Sequence, residues 1–266
     1  MKGLPGFRDF YPEPLPTADS WSLDLRQYIF KTWRSTAERY GFREYDGPPI
    51  EDLELYTKKS GEEIVGQLYN FSDKGDRKVS LRPEMTPTLA RMAASHTRNY
   101  KKPIKWFSIP QLFRYERQQK GRLREHFQLN ADIIGEEHLS ADAELISLLI
   151  DTLRNLKLTK EDFFVRLSSR QAWQDFFEKN GGEQNNAYAF YQVIDKLERE
   201  DPKVSNDKLT KMGFSYDQIN EFILKGQPTE ELSAIIENIE ARGLGDFIEI
   251  DYRIIRGLAY YTGPVY

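Results

Sequence analysis

The stretch that decides the fold is Phe113-Arg-Tyr-Glu-Arg-Gln-Gln-Lys-Gly-Arg-Leu-Arg-Glu-His-Phe-Gln128. Its charged side chains are the cations Arg114, Arg117, Lys120, Arg122 and Arg124 and the carboxylates Glu116 and Glu125. Apolar runs flank it at 104–109 and 127–134. Apolar runs on both sides of a polar loop predict a β-hairpin, here one that holds guanidinium groups above a pocket.

Two interpretations of this hairpin start from the same charges. Arg recognises phosphate through paired hydrogen bonds, so the loop could bind a nucleotide and stabilise charge during group transfer. A solvated loop with local Arg–Glu pairs would have the same composition. The spacing of Arg114 and Glu116 favours the first interpretation, because residues two apart on a strand share a face. His126, in the return strand, could stack on a base.

The composition narrows the class of protein and the kinds of site. The 266 residues carry a net charge of −4 and are 39% hydrophobic, which predicts a globular fold with only local basic surfaces. Cysteine is absent, which excludes disulfides, a thiolate nucleophile and a cysteine zinc site. There are three histidines, no signal core and no long apolar run. We therefore predict a cytoplasmic protein with no metal-binding residues of its own and no membrane span.

Helical and strand patterns interleave along the chain. Helical spacing occurs at 21–40, at 51–60, from Pro87 onward and at 142–156, and strand patterns occur at 42–45, 68–71, 79–81, 163–167 and 247–255. Hairpin signals outnumber strand–helix–strand units, so we predict an α+β fold with a mostly antiparallel sheet flanked by helices. Residues 170–242 lack strand signals, and we interpret them as a helical insertion into a domain formed by 1–169 and 243–266.

Two further segments contain candidate site residues. In Leu81-Arg-Pro-Glu-Met-Thr-Pro87, two prolines make a rigid strand end that could present Glu84 and Thr86 to a ligand ammonium group. A plain helix start, capped by Thr86, is the simpler interpretation of that segment alone. Arg256-Gly-Leu-Ala-Tyr-Tyr261 follows an apolar strand and could line a pocket or form an ordinary turn. The sequence has neither a P-loop nor a dinucleotide fingerprint, so a nucleotide site would use the antiparallel sheet.

Together these segments resemble the histidine–tRNA ligases, a subgroup of the class II aminoacyl-tRNA synthetases. Gly6-Phe-Arg-Asp-Phe-Tyr-Pro12 is similar to that family's leading segment. Gly41-Phe-Arg-Glu-Tyr-Asp-Gly-Pro48 resembles motif 1, whose proline lies at the dimer interface. The chain from Phe113 to Asp132 resembles motif 2, and Arg256-Gly-Leu-Ala-Tyr-Tyr261 resembles the histidine-specific signature.

The resemblance implies a homodimer with a six-stranded antiparallel sheet that uses ATP and Mg²⁺ to convert L-histidine into histidyl-adenylate, then transfers it to tRNA(His). Arg114 and Arg256 would be the catalytic residues, both at the α-phosphate. The histidine-binding residues would be Glu84, Met85, Thr86, Arg114, Gln128, Asp132, Arg256, Tyr260 and Tyr261. The ATP-binding residues would be Arg114, Glu116, Arg122 and His126. Mg²⁺ would bridge the ATP phosphates with few protein ligands.

The sequence departs from the family's pattern at several positions. Asp132 stands where Glu is usual and is shorter by one methylene; Ala259 replaces Asp; and His126 replaces an adenine-stacking Phe. The sequence also ends before motif 3 and before an anticodon-binding domain. We therefore expect weak or no adenylate synthesis from residues 1–266 alone.

Two other functions fit the same fold. A non-catalytic paralogue would sense histidine and regulate ATP phosphoribosyltransferase in histidine biosynthesis, and it need not keep the ATP-binding cations. An interaction module would keep only the fold. The presence of Arg114, Arg122 and Arg256 favours the ligase. The mixed charge of 170–242 gives no strong prediction about tRNA contact.

Overall fold

The computed structural model of the chain describes residues 3–13, 15–17, 20–60, 62–115, 122–255 and 262–266. Backbone contacts divide the chain into two compact units, residues 1–136 and 137–266. Each unit has its own helices and strands. Among the helices of the described ranges, none combines the length and the apolar character that crossing a membrane requires.

The first unit contains strands and helices in alternating groups. Its strands are β1 (Phe10–Tyr11), β2 (Trp21–Ser22), β3 (Arg43–Glu44), β4 (Ile50–Asp52), β5 (Asn70–Ser72), β6 (Lys78–Leu81), β7 (Ile104–Ser108), β8 (Gln111–Phe113), β9 (Glu125–Phe127) and β10 (Asn130–Ile134). Its α-helices are α1 (Leu23–Arg39), α2 (Leu53–Ser60) and α3 (Thr86–His96). Short 3-10 helices at Glu62–Gln67 and Thr97–Asn99 follow α2 and α3.

Helix α1 shows how local sequence sets the ends of an element. Ser22 is the N-cap, and its hydroxyl accepts a hydrogen bond from Leu25 N at 3.1 Å. The helix ends at Arg39, and Gly41 follows with a φ of 78°, a left-handed conformation that glycine adopts without steric cost. The helical spacing predicts a start at residue 21. Trp21 and Ser22 instead pair with β1, so the helix begins two residues later.

The strands of the first unit form short hydrogen-bonded ladders. β7 pairs antiparallel with β10 and parallel with β3, while β6 pairs antiparallel with β4 and β5. β8 and β9 form the predicted hairpin. Phe113 N donates to Arg82 O at 2.9 Å, which links this hairpin to the end of β6. The described ladders hold two or three strands each, where the resemblance implies one sheet of six, because irregular segments such as 82–85 interrupt the short strands.

The second unit is mainly helical. Its elements are α4 (Ser140–Asn155), β11 (Val165–Ser169), α5 (Arg170–Lys179), α6 (Ala187–Lys196), α7 (Pro202–Lys211), α8 (Tyr216–Lys225), α9 (Glu230–Ala241), β12 (Ile248–Ile250) and β13 (Pro264–Val265). Two apolar clusters hold it together. Trp173, Phe177 and Phe190 lie in the cluster among α5–α8, and Ile146 of α4 packs with Ile235 of α9 in the other. Burial of large apolar side chains is the main stabilising contribution here.

The combination of helices and sheets confirms the predicted α+β class. Two local expectations are wrong. The strand predicted over 247–255 covers only Ile248–Ile250, because the Asp251 carboxylate accepts from Arg253 N at 2.9 Å and turns the chain. Thr86 does not cap α3, since Met85 occupies the N-cap position without a side-chain cap bond. The described part of 170–242 holds helices and no strand, and its status as an insertion stays a prediction.

Candidate functional site

The β8–β9 hairpin has two distinct faces. Leu112 lies opposite His126, and cross-strand partners share a face of the ladder. Arg114 N donates to Arg124 O at 2.9 Å, which continues the ladder one step beyond β8. Since side chains alternate along a strand, Arg114 and Arg124 join Leu112 and His126 on one face. We call this the front face of the hairpin.

The N-terminal segment covers the opposite face. The carboxylate of Glu125, which is 4% exposed, accepts a hydrogen bond from Arg8 N at 2.9 Å. The rings of Phe10 and Phe127 meet edge to face with centroids 6.2 Å apart. These contacts occupy the back of the hairpin, on the side opposite Arg114 and His126. Of the two neighbouring aromatic residues, His126 therefore lies on the same face as Arg114, and Phe127 lies on the opposite face.

Arg114 connects the hairpin to the segment that contains Glu84. Its Nε donates to the carbonyl oxygen of Pro83 at 3.2 Å. Both Arg114 and Glu84 are half-buried. Two of the three segments that the sequence singles out are therefore adjacent, although they are about 30 residues apart in the chain. The Arg114 guanidinium thus contacts the backbone of the residue directly before Glu84.

Arg82 is a site residue that sequence reasoning missed. It is only 5% exposed, and its Nη1 donates to Asp46 Oδ1 and to Gly47 O, both at 2.7 Å. Its Nε donates to Gln111 O at 3.1 Å. The buried guanidinium of Arg82 thus forms hydrogen bonds with both the motif 1-like segment at 41–48 and strand β8. The only sequence signal was an Arg directly before a proline at a strand end.

Three predicted histidine-binding residues, Glu84, Met85 and Thr86, lie at the start of α3 and occupy different environments. Thr86 is exposed at the first position of the helix, whereas the Met85 side chain is fully buried. Any contact of Met85 with a ligand would therefore come from its backbone. Burial raises the pKa of the nearby Tyr56 to about 12, and the charges of Glu51 and Glu84 contribute in the same direction. The charge of Arg82 acts on the pKa of Tyr56 in the opposite direction, so carboxylates and a guanidinium group both lie near the start of α3.

Gln128 and Asp132 follow the β8–β9 hairpin along the chain. Gln128 is exposed, just before β10, and its N–H donates to Pro110 O at 3.4 Å. Asp132 lies within β10 opposite Trp106 of β7. Burial raises the pKa of the Asp132 carboxyl from an ordinary 3.8 to about 6. A carboxyl group with a perturbed pKa in a mixed polar and aromatic environment is typical of a functional site.

Several predicted site residues lie outside the described ranges. They are Glu116, in the hairpin loop, and Arg256, Tyr260 and Tyr261, in the last segment. Their roles stay predictions. Arg122 is described and is exposed where the loop joins the return strand. Across the described ranges, no group of three or more His, Cys, Asp or Glu side chains could hold a metal ion.

Comparison with known proteins establishes the family. The family model described as Histidyl-tRNA synthetase matches residues 22–266. The chain belongs to this family. It is 41% identical to the histidine–tRNA ligase of Opitutus terrae, in an alignment that covers 100% of this chain and 64% of that protein. With the histidine–tRNA ligase of Leptospira biflexa the identity is 39%, over 98% of this chain and 62% of the relative. The chain thus spans less than two thirds of these relatives.

Solved structures agree on the fold. A histidyl-tRNA synthetase from a Nostoc species superposes with a TM-score of 0.80 at 22% identity, covering 99% of this chain and 63% of the other. A Bacillus halodurans protein described as an ATP phosphoribosyltransferase regulatory subunit/histidyl-tRNA synthetase gives a TM-score of 0.80 at 20% identity, covering 99% and 70%. At such identities the likeness concerns the fold alone, and it confirms the expected class II synthetase-like architecture.

Proposed function

We propose that the protein containing this chain activates histidine with ATP to histidyl-adenylate and transfers it to tRNA(His). The observation that carries this proposal is the contact between Arg114 and Pro83, because it joins a guanidinium group to the Glu84 segment. A site for an amino acid and ATP needs these groups side by side: a cation for carboxylate and phosphate, and an anion for the ammonium group. Membership of the histidyl-tRNA synthetase family supports the same reaction.

The chemistry relies on positioning and electrostatics. Arg114 and Arg256 would bind the α-phosphate as negative charge develops during attack by the histidine carboxylate. Glu84, Thr86 and Gln128 would hold the ammonium group, with the Met85 backbone beside them. Asp132, Tyr260 and Tyr261 would surround the imidazole. Glu116, Arg122 and His126 would bind the rest of ATP.

Mg²⁺ fits this site as a companion of ATP. The described residues offer no cluster of three acidic or imidazole ligands, so the phosphates themselves would supply most of the ligands. Bound Mg²⁺ would neutralise phosphate charge. The protein's own contribution would be the guanidinium groups on the front face of the hairpin.

The proposal extends to a homodimer. On α1, Leu25 is 59% exposed and Tyr28 is 49% exposed, and Trp21 just before the helix is 42% exposed. Leu25 and Tyr28 are three residues apart and so share one side of the helix, and exposed apolar side chains of this kind are typical of a contact surface. Assembly as a dimer and a cytoplasmic location both stay predictions.

Isothermal titration of the complete gene product with histidine, with ATP and with a non-hydrolysable histidyl-adenylate analogue tests the proposal. We expect all three to bind and the analogue to bind at least about a hundredfold more tightly than histidine, since it occupies both subsites. Binding of histidine without ATP or analogue would support a histidine-sensing regulator instead. Absence of all binding would support an interaction module.

A further inference from the structure

Among the described residues of the first unit, several buried polar side-chain atoms lack a hydrogen-bond partner, and four of these lie on or beside the β10–β7–β3 sheet. They are the Tyr45 hydroxyl, the Ser108 hydroxyl, Asn130 Oδ1 and Asp132 Oδ2. A buried polar atom without a partner costs free energy, so native proteins keep few of them. Four such atoms on one side of a sheet form a polar cluster with unused hydrogen-bonding capacity.

The strand register places these four residues on one face of the β10–β7–β3 sheet. Asn130 is paired with Ser108, and Asp132 with Trp106. Tyr45 directly follows β3, its N–H donates to Phe107 O at 2.9 Å, and its ring lies 5.7 Å from the Trp106 ring. Because cross-strand partners share a face, the polar atoms gather around the Trp106 side of the sheet.

Tyr45 and Asp132 interact directly through charge. Burial raises the pKa of Tyr45, the nearby Ser108 hydroxyl partly offsets this, and the negative charge of Asp132 raises it further. Although Ser108 lies close to the phenol, neither hydroxyl has a partner at full hydrogen-bonding geometry. The other charges that act on the pKa of Tyr45 are those of Asp46 and Arg82, which form an ion pair at 2.7 Å and act in opposite directions.

The two oxygens of Asp132 have different environments. Among the described residues Oδ2 is buried and has no hydrogen-bond partner, whereas Oδ1 does not share that description. A carboxylate can bind a ligand firmly through one oxygen only if the other is held in place. Tyr45 is a donor on the same face of the sheet, and it is close enough to Asp132 for the two groups to interact through charge.

We propose that Tyr45 is a positioning residue for Asp132: its phenol donates a hydrogen bond to Oδ2, and this directs Oδ1 toward an N–H group of the bound amino-acid side chain. The inference rests on the proposed function, because it takes Asp132 to be the residue that reads the imidazole. Ser108 and Asn130 complete the polar wall around the phenol. Tyr45 thus contributes to the choice of amino acid without touching it.

The variant Tyr45→Phe tests this proposal in the complete gene product. A hydrogen bond to a charged group is worth enough to change affinity at least about tenfold, so we expect histidine to bind about tenfold more weakly. ATP affinity should remain unchanged. Without the phenol the Asp132 carboxylate is harder to ionise, so the pH below which histidine affinity falls should move upward. Tyr100→Phe is the matched control, because its ring also packs against Trp106, at 5.0 Å, and Tyr100 is 46% exposed.

A thermal melt separates this role from a structural one. The Tyr45 hydroxyl has no partner without ligand, so Tyr45→Phe should melt at the same temperature as the parent or higher. Unchanged histidine affinity and pH profile in Tyr45→Phe, with a parent that binds histidine, would overturn the inference alone. A parent that does not bind histidine would overturn the proposed function instead. A lower melting temperature together with equal losses of histidine and ATP binding would also contradict the positioning role.

Discussion

At the scale of single residues, Asp132 shows what the burial of a carboxyl group costs in stability. Its folded-state pKa of about 6 lies above the ordinary 3.8. Folding therefore favours the protonated carboxyl. The stability that the protonated form adds relative to the ionised form is fully present below about pH 4. The contribution is lost as the pH rises to about 6, and above that value the buried carboxylate costs the ligand-free protein up to about 3 kcal/mol.

Asp132→Asn should therefore stabilise the ligand-free chain at pH 7.5 by about 1–3 kcal/mol, with the gain shrinking as the pH falls to 5. Urea unfolding followed by tryptophan fluorescence measures this difference. Asp73→Asn is the control, since Asp73 is a surface residue whose pKa is lowered, mainly by its hydrogen bond with Arg77. It should give no such gain. Equal unfolding free energies of Asp132→Asn and the parent at every pH would show that burial does not raise the pKa of the Asp132 carboxyl.

At the scale of elements, Arg82 is the link that holds three segments in register. Its hydrogen bonds reach 29 to 36 residues along the chain, to Gln111, Asp46 and Gly47. Phe113 N also donates to Arg82 O, so the same residue carries part of the ladder that leads to Arg114. The separation between Arg114 and Glu84 consequently depends on a side chain that touches neither ligand subsite.

Replacing the guanidinium of Arg82 should disturb both folding and binding. Lysine cannot reach three acceptors in different directions, so we expect Arg82→Lys to lose about 2–4 kcal/mol of unfolding free energy and to weaken histidine binding. Arg34→Lys is the matched control, because Arg34 also pairs with a carboxylate, Glu44 at 2.6 Å, but in a 40% exposed position. Its loss should stay below about 1 kcal/mol. Similar losses in the two variants, measured by urea unfolding, would contradict the role of Arg82.

At the scale of the whole chain, the features that sequence could predict are those with local causes. The 114–128 hairpin and α1 follow from charge, turn residues and capping within a few positions. Arg82 and Tyr45 were not predictable, because their importance comes from strand pairing between distant segments. The end of β12 at Ile250 depends on a hydrogen bond between Asp251 and Arg253, which no periodicity reveals. The proposed roles of the site residues come from the family resemblance. The structure adds contacts around them, such as that of Arg114 with Pro83.

The most direct test of the account is histidine-dependent ATP–pyrophosphate exchange by the complete gene product and its Arg114→Ala variant. Because Arg114 is proposed to stabilise charge that develops in the transition state, we expect Arg114→Ala to lower the exchange rate at least about a hundredfold. Arg77→Ala, which removes an exposed cation from the β5–β6 turn, should retain the parent rate. A parent without exchange activity, or an Arg114→Ala variant that exchanges at the parent rate, would contradict the central claim.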